Sequence, residues 1–452
     1  MNFLADDPKK LYINFFSTSI IGAVVMSIYA FVDAIAVGHA EGPLGAAAIA
    51  VINPLFGIIV FVSILAGIGG SVLMNNARGE GDNASGDAFF TAAIILVAGV
   101  VAVCWILCAL FHRELLILFG ADEEIAAKAM EYSNWIVGFF PVFVFPIFMG
   151  CFIRNDGAPG LAMAAVIIGS CVNMFGDWLL VFPLGMGMRG AAIATLIGNS
   201  VQCIIMLSYF FQRRCKLRII KPMSLKPYLK GILQLGFGAS ILDLGTVILG
   251  VIMNNQVMRY GSAVDLAVYG VVMTIMQLFQ SMFNGVGQAI QPLVSANCGA
   301  GKADRIRNFW KLSFYSVVIM GLIFTCLGEL FPVTVTKIFM DATPEVIAAS
   351  PAIFRLYFPL FLFLGITTLA TYYLQSILRG KMSFAISVLH SAVVGVILLY
   401  VLPLWIGLAG VWVAMPVAEC IVVIVALIYI TKTNRNLNKT LPKVYVEEKN
   451  NW

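Results

Sequence analysis

Twelve apolar runs, each bounded by charged residues or by Gly/Pro clusters, account for most of this chain. They lie near 11–37, 46–75, 86–111, 129–153, 160–184, 190–211, 230–258, 264–296, 311–336, 352–378, 383–405 and 408–431. At the helical rise each can cross a hydrocarbon core of about 30 Å. Charged residues make up only 11% of the sequence, against about 25% in soluble domains. Hydrophobic residues are 61% and the mean hydropathy is +0.95. A chain this poor in charge cannot cover itself in water, and in lipid its backbone polar groups must be satisfied internally. The expected class is an all-α polytopic membrane protein with twelve transmembrane helices.

The first run follows Lys9 and Lys10 but is far longer than the roughly 7–15 residues of a signal-peptide core, so it reads as the first span. The nine cysteines form no CxxC pair and sit mostly in apolar runs, as small packing residues rather than a disulfide framework or metal site.

An even number of spans puts both termini on one side, and the basic residues say which. With the N-terminus inside, 22 of the 28 Lys and Arg fall in inside loops, among them the seven of "RRCKLRIIKPMSLKPYLK". Outside fall only Arg113, Lys128, Arg189, Arg259, Lys337 and Arg355. This positive-inside bias places both termini in the cytoplasm and accounts for the net charge of +5 without a nucleic-acid partner. In a bacterium the membrane would be the inner, cytoplasmic one.

The basic segment lies near the middle of the chain, and a shift of 220 residues superposes the two sides. "VFPLGMGMRGAAIA" (181–194) falls on "VLPLWIGLAGVWVA" (401–414), matching Val181, Pro183, Leu184, Gly187, Gly190 and Ala194 with Val401, Pro403, Leu404, Gly407, Gly410 and Ala414. Gly79 and Gly81 fall on Gly299 and Gly301, and Phe119 on Phe339. Six spans per half means that the halves run in the same direction, related by a pseudo-twofold axis along the membrane normal. The expected organisation is a six-helix bundle (1–211), a basic cytoplasmic linker (212–229), a second bundle (230–431) and a cytoplasmic tail (432–452), with a central cleft. That is a transporter plan, without the filter motifs or charge rings of a channel.

Polar residues at membrane depth are few. "VNMFGDWLLVF" (172–182) carries Asn173 and Asp177 four residues apart, on one face of the fifth span. Asp177 lies six residues before Pro183, roughly 9 Å inside the outer end of the span. Asp33 on the first span and Thr195 on the sixth lie roughly 7–8 Å in by the same rise. Two carboxylates at one depth in a low-dielectric bundle cannot both stay ionised without a shared proton or a bound cation, and Asn and Thr can add neutral oxygens. Helix–helix hydrogen bonding is the plainer reading of the same residues.

These residues resemble the multidrug and toxic compound extrusion (MATE) family, and within it the MepA-like bacterial exporters. The resemblance rests on "VDAIAVGH" (32–39), "FIRNDGAPGLAMAA" (152–165), "NMFGD" (173–177) and "GAAIAT" (190–195), in order, and covers essentially the whole chain. It implies that Asp33, Asn173, Asp177 and Thr195 form a cation-coupling site for H⁺ or Na⁺ in the N-terminal half. Some members of the family carry a Glu in the seventh span; here that position is Thr246, with Asp243 three residues earlier.

Other polar residues carry weaker expectations. Asp243, Asn254, Gln277, Gln280, Asn284 and Glu419 are candidates for a substrate cleft, three of them recurring at helical spacing along the eighth span. His390 is a candidate proton carrier, or more plainly a hydrogen-bonded packing histidine. The glycine clusters "GIGG" (67–70) and "CGAGKADR" lack the spacing of a phosphate-binding loop, so no nucleotide is expected.

The function expected is a secondary active antiporter that exports cationic or amphipathic organic compounds. It would need no cofactor beyond the coupling ion and could work as a monomer among membrane lipids. A flippase for lipid-linked saccharides, or a narrow-specificity metabolite exporter, is the alternative; a flippase usually needs buried basic residues for a pyrophosphate, and here the charges at depth are acidic. An intramembrane enzyme would need a nucleophile or metal ligands converging at one depth. The three histidines, at 39, 112 and 390, form no such group.

Overall fold

The computed structural model describes residues 2–339 and 343–438, without the side chains of 30, 31, 34, 35, 38–40, 43, 46, 241–248, 263, 339, 391 and 392. Among the described residues every regular element is helical.

The first half runs α1 (Pro8–Gly79), α2 (Asn83–Leu110), α3 (His112–Leu118), α4 (Glu123–Gly138), α5 (Phe140–Asn155), α6 (Pro159–Val181) and α7 (Gly187–Leu207). α1 is two spans joined at Gly42, whose φ of 61° no helix can hold. The second half runs α8 (Lys226–Tyr260), α9 (Ala263–Gly299), α10 (Ala303–Leu330), α11 (Pro332–Phe339), α12 (Pro344–Tyr357), α13 (Leu360–Ser376), α14 (Gly380–Val388), a π-helical turn (Leu389–Val393), α15 (Val394–Ile406) and α16 (Leu408–Arg435).

Eight helices are long and apolar enough to cross a membrane alone. Two bent pairs, α4–α5 at 59° and α12–α13 at 44°, make one broken span each. The long α8 and the continuous run from α14 to α15 complete twelve.

The repeat read from the sequence is a repeat of structure. α2 and α10 begin and end at positions 220 apart, and the short α3 and α11 begin 220 apart. The matched glycines share a backbone state: Gly81 and Gly301 have φ of 90° and 68°, Gly187 and Gly407 of 50° and 59°. A side chain is strained in that left-handed region, so these glycines are held in both halves by the turns they make.

The chain divides into two compact units. One holds Ser17–Ser240; the other holds Asn2–Phe16 together with the chain from Ile241 onward. In the first, Arg78 binds Asp156 at 2.6 Å, Asp87 at 2.9 Å and the Lys216 carbonyl at 2.7 Å. Asp156 also accepts from the Tyr209 hydroxyl and the Lys216 amide. The basic segment after α7 is thereby strapped along this unit. In the second unit Arg305 donates to the carbonyls of Phe3 (2.9 Å) and Asp6 (2.7 Å), and Asn297 to Phe3 (3.0 Å), fixing the segment before α1.

Candidate functional site

The helices α6 and α7 approach so closely that glycine is required between them. A Cβ on Gly176 would fall 2.9 Å from that of Ala194, and one on Gly198 would fall 2.8 Å from that of Asn173. Small residues of this kind let membrane helices pack backbone to backbone. The result is that Asn173 on α6 reaches Thr195 on α7, its Nδ2 donating to the hydroxyl oxygen at 3.1 Å.

Thr195 is a hub. Its oxygen also takes a contact of 3.1 Å from the Tyr132 hydroxyl on α4. With Asn173 and Tyr132 both donating, its two lone pairs are filled. Its single hydrogen points to the Ala191 carbonyl at 3.0 Å or to Asp33 Oδ1 on α1 at 3.5 Å. Asp33, Asn173 and Thr195 thus meet at one locus, as their depths suggest. Asp177, one turn from Asn173 and fully buried, is an electrostatic neighbour of Asp33.

Three acceptors at this locus have no donor among the described residues: Asn173 Oδ1 and both carboxylate oxygens of Asp177. Buried polar atoms are nearly always paired. An unpaired carboxylate in such surroundings is costly unless it is protonated or faces a cation.

Sequence reasoning missed two tyrosines. Tyr132 bonds Thr195 and is an electrostatic neighbour of Asp33, and Tyr29, one turn before Asp33, is an electrostatic neighbour of both carboxylates. Tyr132 stands three residues into the expected fourth span, roughly 4–5 Å from its outer end by the helical rise, where a tyrosine does not stand out.

Beyond the site, toward the C-terminal end of this arm of α1, the same helices are tied by charge. Lys128 on α4 pairs with Glu41 at 2.7 Å, and Glu41 accepts from the Met188 amide at the start of α7 at 3.1 Å. Partial burial of Glu41 favours the neutral carboxyl, but the Lys128 ammonium and the Met188 N–H outweigh it and hold the group below the usual glutamate range.

The MatE family model matches this chain twice, over residues 18–179 and again over 241–401. The chain belongs to the MatE family. The two matches fall on the two halves of the repeat, and they include Asp33, Asn173 and Asp177.

This MatE chain is 23% identical over 421 residues to the multidrug export protein MepA of Staphylococcus saprophyticus, covering 91% of this chain and 90% of that one. It is equally identical over 429 residues to MepA of Staphylococcus aureus strain NCTC 8325, covering 93% of each. Among solved structures it is similar to an outward-facing multidrug resistance MATE family transporter of the MOP superfamily, with a TM-score of 0.90, 22% identity and 98% coverage of both chains. It is also similar to a MOP superfamily transporter from Pyrococcus furiosus, with a TM-score of 0.89, 23% identity and coverage of 97% and 98%. At these identities the structures establish the fold.

Of the remaining candidates, Gln280 and Asn284 are joined by a hydrogen bond among the described residues. The Asp243 side chain lies outside the described residues. Asn254 and Gln277 are exposed. Gln280 donates to Asn284 (3.4 Å) and to Thr368 on α13 (3.1 Å). Glu419 is buried, accepts from Thr367 at 2.7 Å and touches His390.

Proposed function

We propose that this chain is a secondary active multidrug exporter that exchanges cationic or amphipathic organic compounds for H⁺ or Na⁺. Coupling sits in the N-terminal half, at Asp33, Asn173, Asp177 and Thr195, with Tyr132 orienting Thr195. The observation that carries the reading is the trio of buried acceptors without donors on Asn173 and Asp177, beside a second carboxylate.

A proton on Asp177 or a Na⁺ between the carboxylates would relieve the repulsion and let α1 close on α6 and α7; its loss would favour a second packing. An ion and a drug that prefer different packings are coupled by that difference alone. The ion's gradient is then the energy source, and no cofactor is required.

The name of the staphylococcal relatives, multidrug export protein, supports the substrate class. The charge asymmetry of the loops supports a cytoplasmic location for both termini in a bacterial cell membrane, with 212–229 linking two bundles. One chain carries both halves, so a monomer suffices.

The test uses liposomes holding purified protein and ethidium, with pH and Na⁺ gradients imposed separately. Wild type moves dye under one gradient and Asp177→Asn under neither. Dye movement by Asp177→Asn at wild-type rate removes the coupling site. No movement by wild type under either gradient turns the reading toward a narrow exporter or a lipid-linked saccharide flippase.

A further inference from the structure

The second unit buries an acid and a base against each other. Glu419 on α16 is 1% exposed and His390 is 6% exposed. His390 Nδ1 contacts one carboxylate oxygen of Glu419, and Thr367 on α13 donates to the other at 2.7 Å. Three consecutive spans thus converge on a single carboxylate.

The backbone is altered to allow it. His390 sits in the only π-helical turn among the described residues, Leu389–Val393, which interrupts an otherwise regular span. Such turns give up regular hydrogen bonding and cluster at functional sites. The matching span of the first half, α6, is plain α-helix, and the counterparts of His390 and Glu419 under the repeat are Ser170 and Asn199. Both the turn and the pair are therefore particular to the second half. A buried ion pair is a poor device for stability alone, because its desolvation offsets its attraction.

We propose that His390, Glu419 and Thr367 form a second proton-binding site, selective for H⁺ over Na⁺. The selectivity follows from the ligands. Sodium needs several oxygens, whereas here an imidazole nitrogen occupies one carboxylate oxygen and a hydroxyl donor the other.

The geometry also gives two protonation states. In one, neutral His390 donates from Nδ1 to the Glu419 carboxylate and Nε2 is bare. In the other, Nε2 has taken a proton from water and the pair is net neutral. Thr367 holds the carboxylate in both.

Few other ionisable groups face the pair. α12 contributes Tyr357, an electrostatic neighbour of Glu419, which is itself linked to Tyr269 of α9. On α13 the Tyr373 hydroxyl is directed to Asn434, away from the pair. On α8 the Asp243 side chain lies outside the described residues.

For transport this site rests on the antiport reading; as a proton site it does not, and the experiment separates the two. Full-length protein in lipid nanodiscs, labelled with ¹⁵N-histidine, is titrated from pH 5 to 9 with His390→Asn as the assignment control. His390 should titrate within the window, unaffected by 100-fold changes in Na⁺, and Glu419→Gln should displace its midpoint by about one pH unit or more. If Glu419→Gln does not fold, Thr367→Val, which keeps the pair and loses the hydroxyl, should displace it instead.

Ethidium addition to the same samples should release fewer protons from His390→Asn than from wild type. A His390 signal constant from pH 5 to 9, or one moved by Na⁺, overturns the proposal. A normal titration with no ethidium-linked release from any variant leaves the proton site standing and removes the antiport reading.

Discussion

Asn173 and Thr195 meet across an α6–α7 interface that tolerates no Cβ at Gly198, and their 3.1 Å hydrogen bond anchors the locus that also holds Asp33 and Asp177. The amide's Nδ2 is spent on Thr195, which leaves its Oδ1 without a donor beside the equally unpaired Asp177 carboxylate. Packing and chemistry are therefore one arrangement, in which close approach orients the acceptors.

Asp177→Asn replaces a group that can take a proton or hold a cation with a neutral amide of the same shape. Drug efflux from cells should fall at least about 10-fold at equal membrane abundance, a barrier change of only about 1.4 kcal/mol. Asp33→Asn should do the same. Efflux assays normalised to immunoblotted protein check both, and wild-type efflux from either variant would separate that carboxylate from coupling.

Gly198→Ala places a methyl 2.7 Å from the Gly169 carbonyl and 2.8 Å from Asn173 Cβ. Overpacking of this order costs about 1–3 kcal/mol, and relief by helix separation would pull Asn173 from Thr195. Lower thermal stability in detergent together with weakened efflux is expected. Gly57→Ala, whose Cβ meets nothing within 4 Å, is the control that should be near neutral.

Tyr132→Phe removes one hydroxyl at an otherwise unchanged ring. It frees one lone pair of Thr195 and one neighbour of Asp33, at a cost of about 1 kcal/mol in stability. The more telling readout is the pH profile of efflux in liposomes, which should shift, because Thr195 loses the donor that leaves its own hydrogen aimed at Ala191 or Asp33. An unchanged profile would make Tyr132 a packing residue only.

Why the site was half legible follows from these residues. Asp33, Asn173, Asp177 and Thr195 stand out because a polar group in an apolar run is costly, and span counting gives its depth. Depth does not give azimuth: nothing in the sequence says that Thr195 turns toward Asp33, or that Glu419 turns to His390 and Thr367. Those contacts depend on the glycine-lined crossing in one half and on a π turn in the other, and a π turn leaves no periodicity to read. Tyr132 was missed for a different reason, since tyrosine is common at span ends and carries no cost to betray it.

Glu41 and Lys128 give a pH prediction with a definite sign. Glu41 lies beyond the first span, and its carboxyl is held below the usual glutamate range in the folded state. A depressed acid stabilises the fold above its unfolded value, and the contribution is lost as pH falls through the folded value. The tie between the first arm of α1, α4 and the start of α7 is therefore intact across pH 5–8 and fails only in stronger acid. The pair is partly screened, with side chains 17% and 20% exposed, so its contribution is at most about 1 kcal/mol. Thermal unfolding of wild type and Glu41→Gln in detergent should differ by a constant amount from pH 5 to 8. The two curves should converge below about pH 4.5, where wild-type Glu41 begins to take up its proton. Curves that converge already near pH 6 would mean that Lys128 does not hold Glu41 ionised.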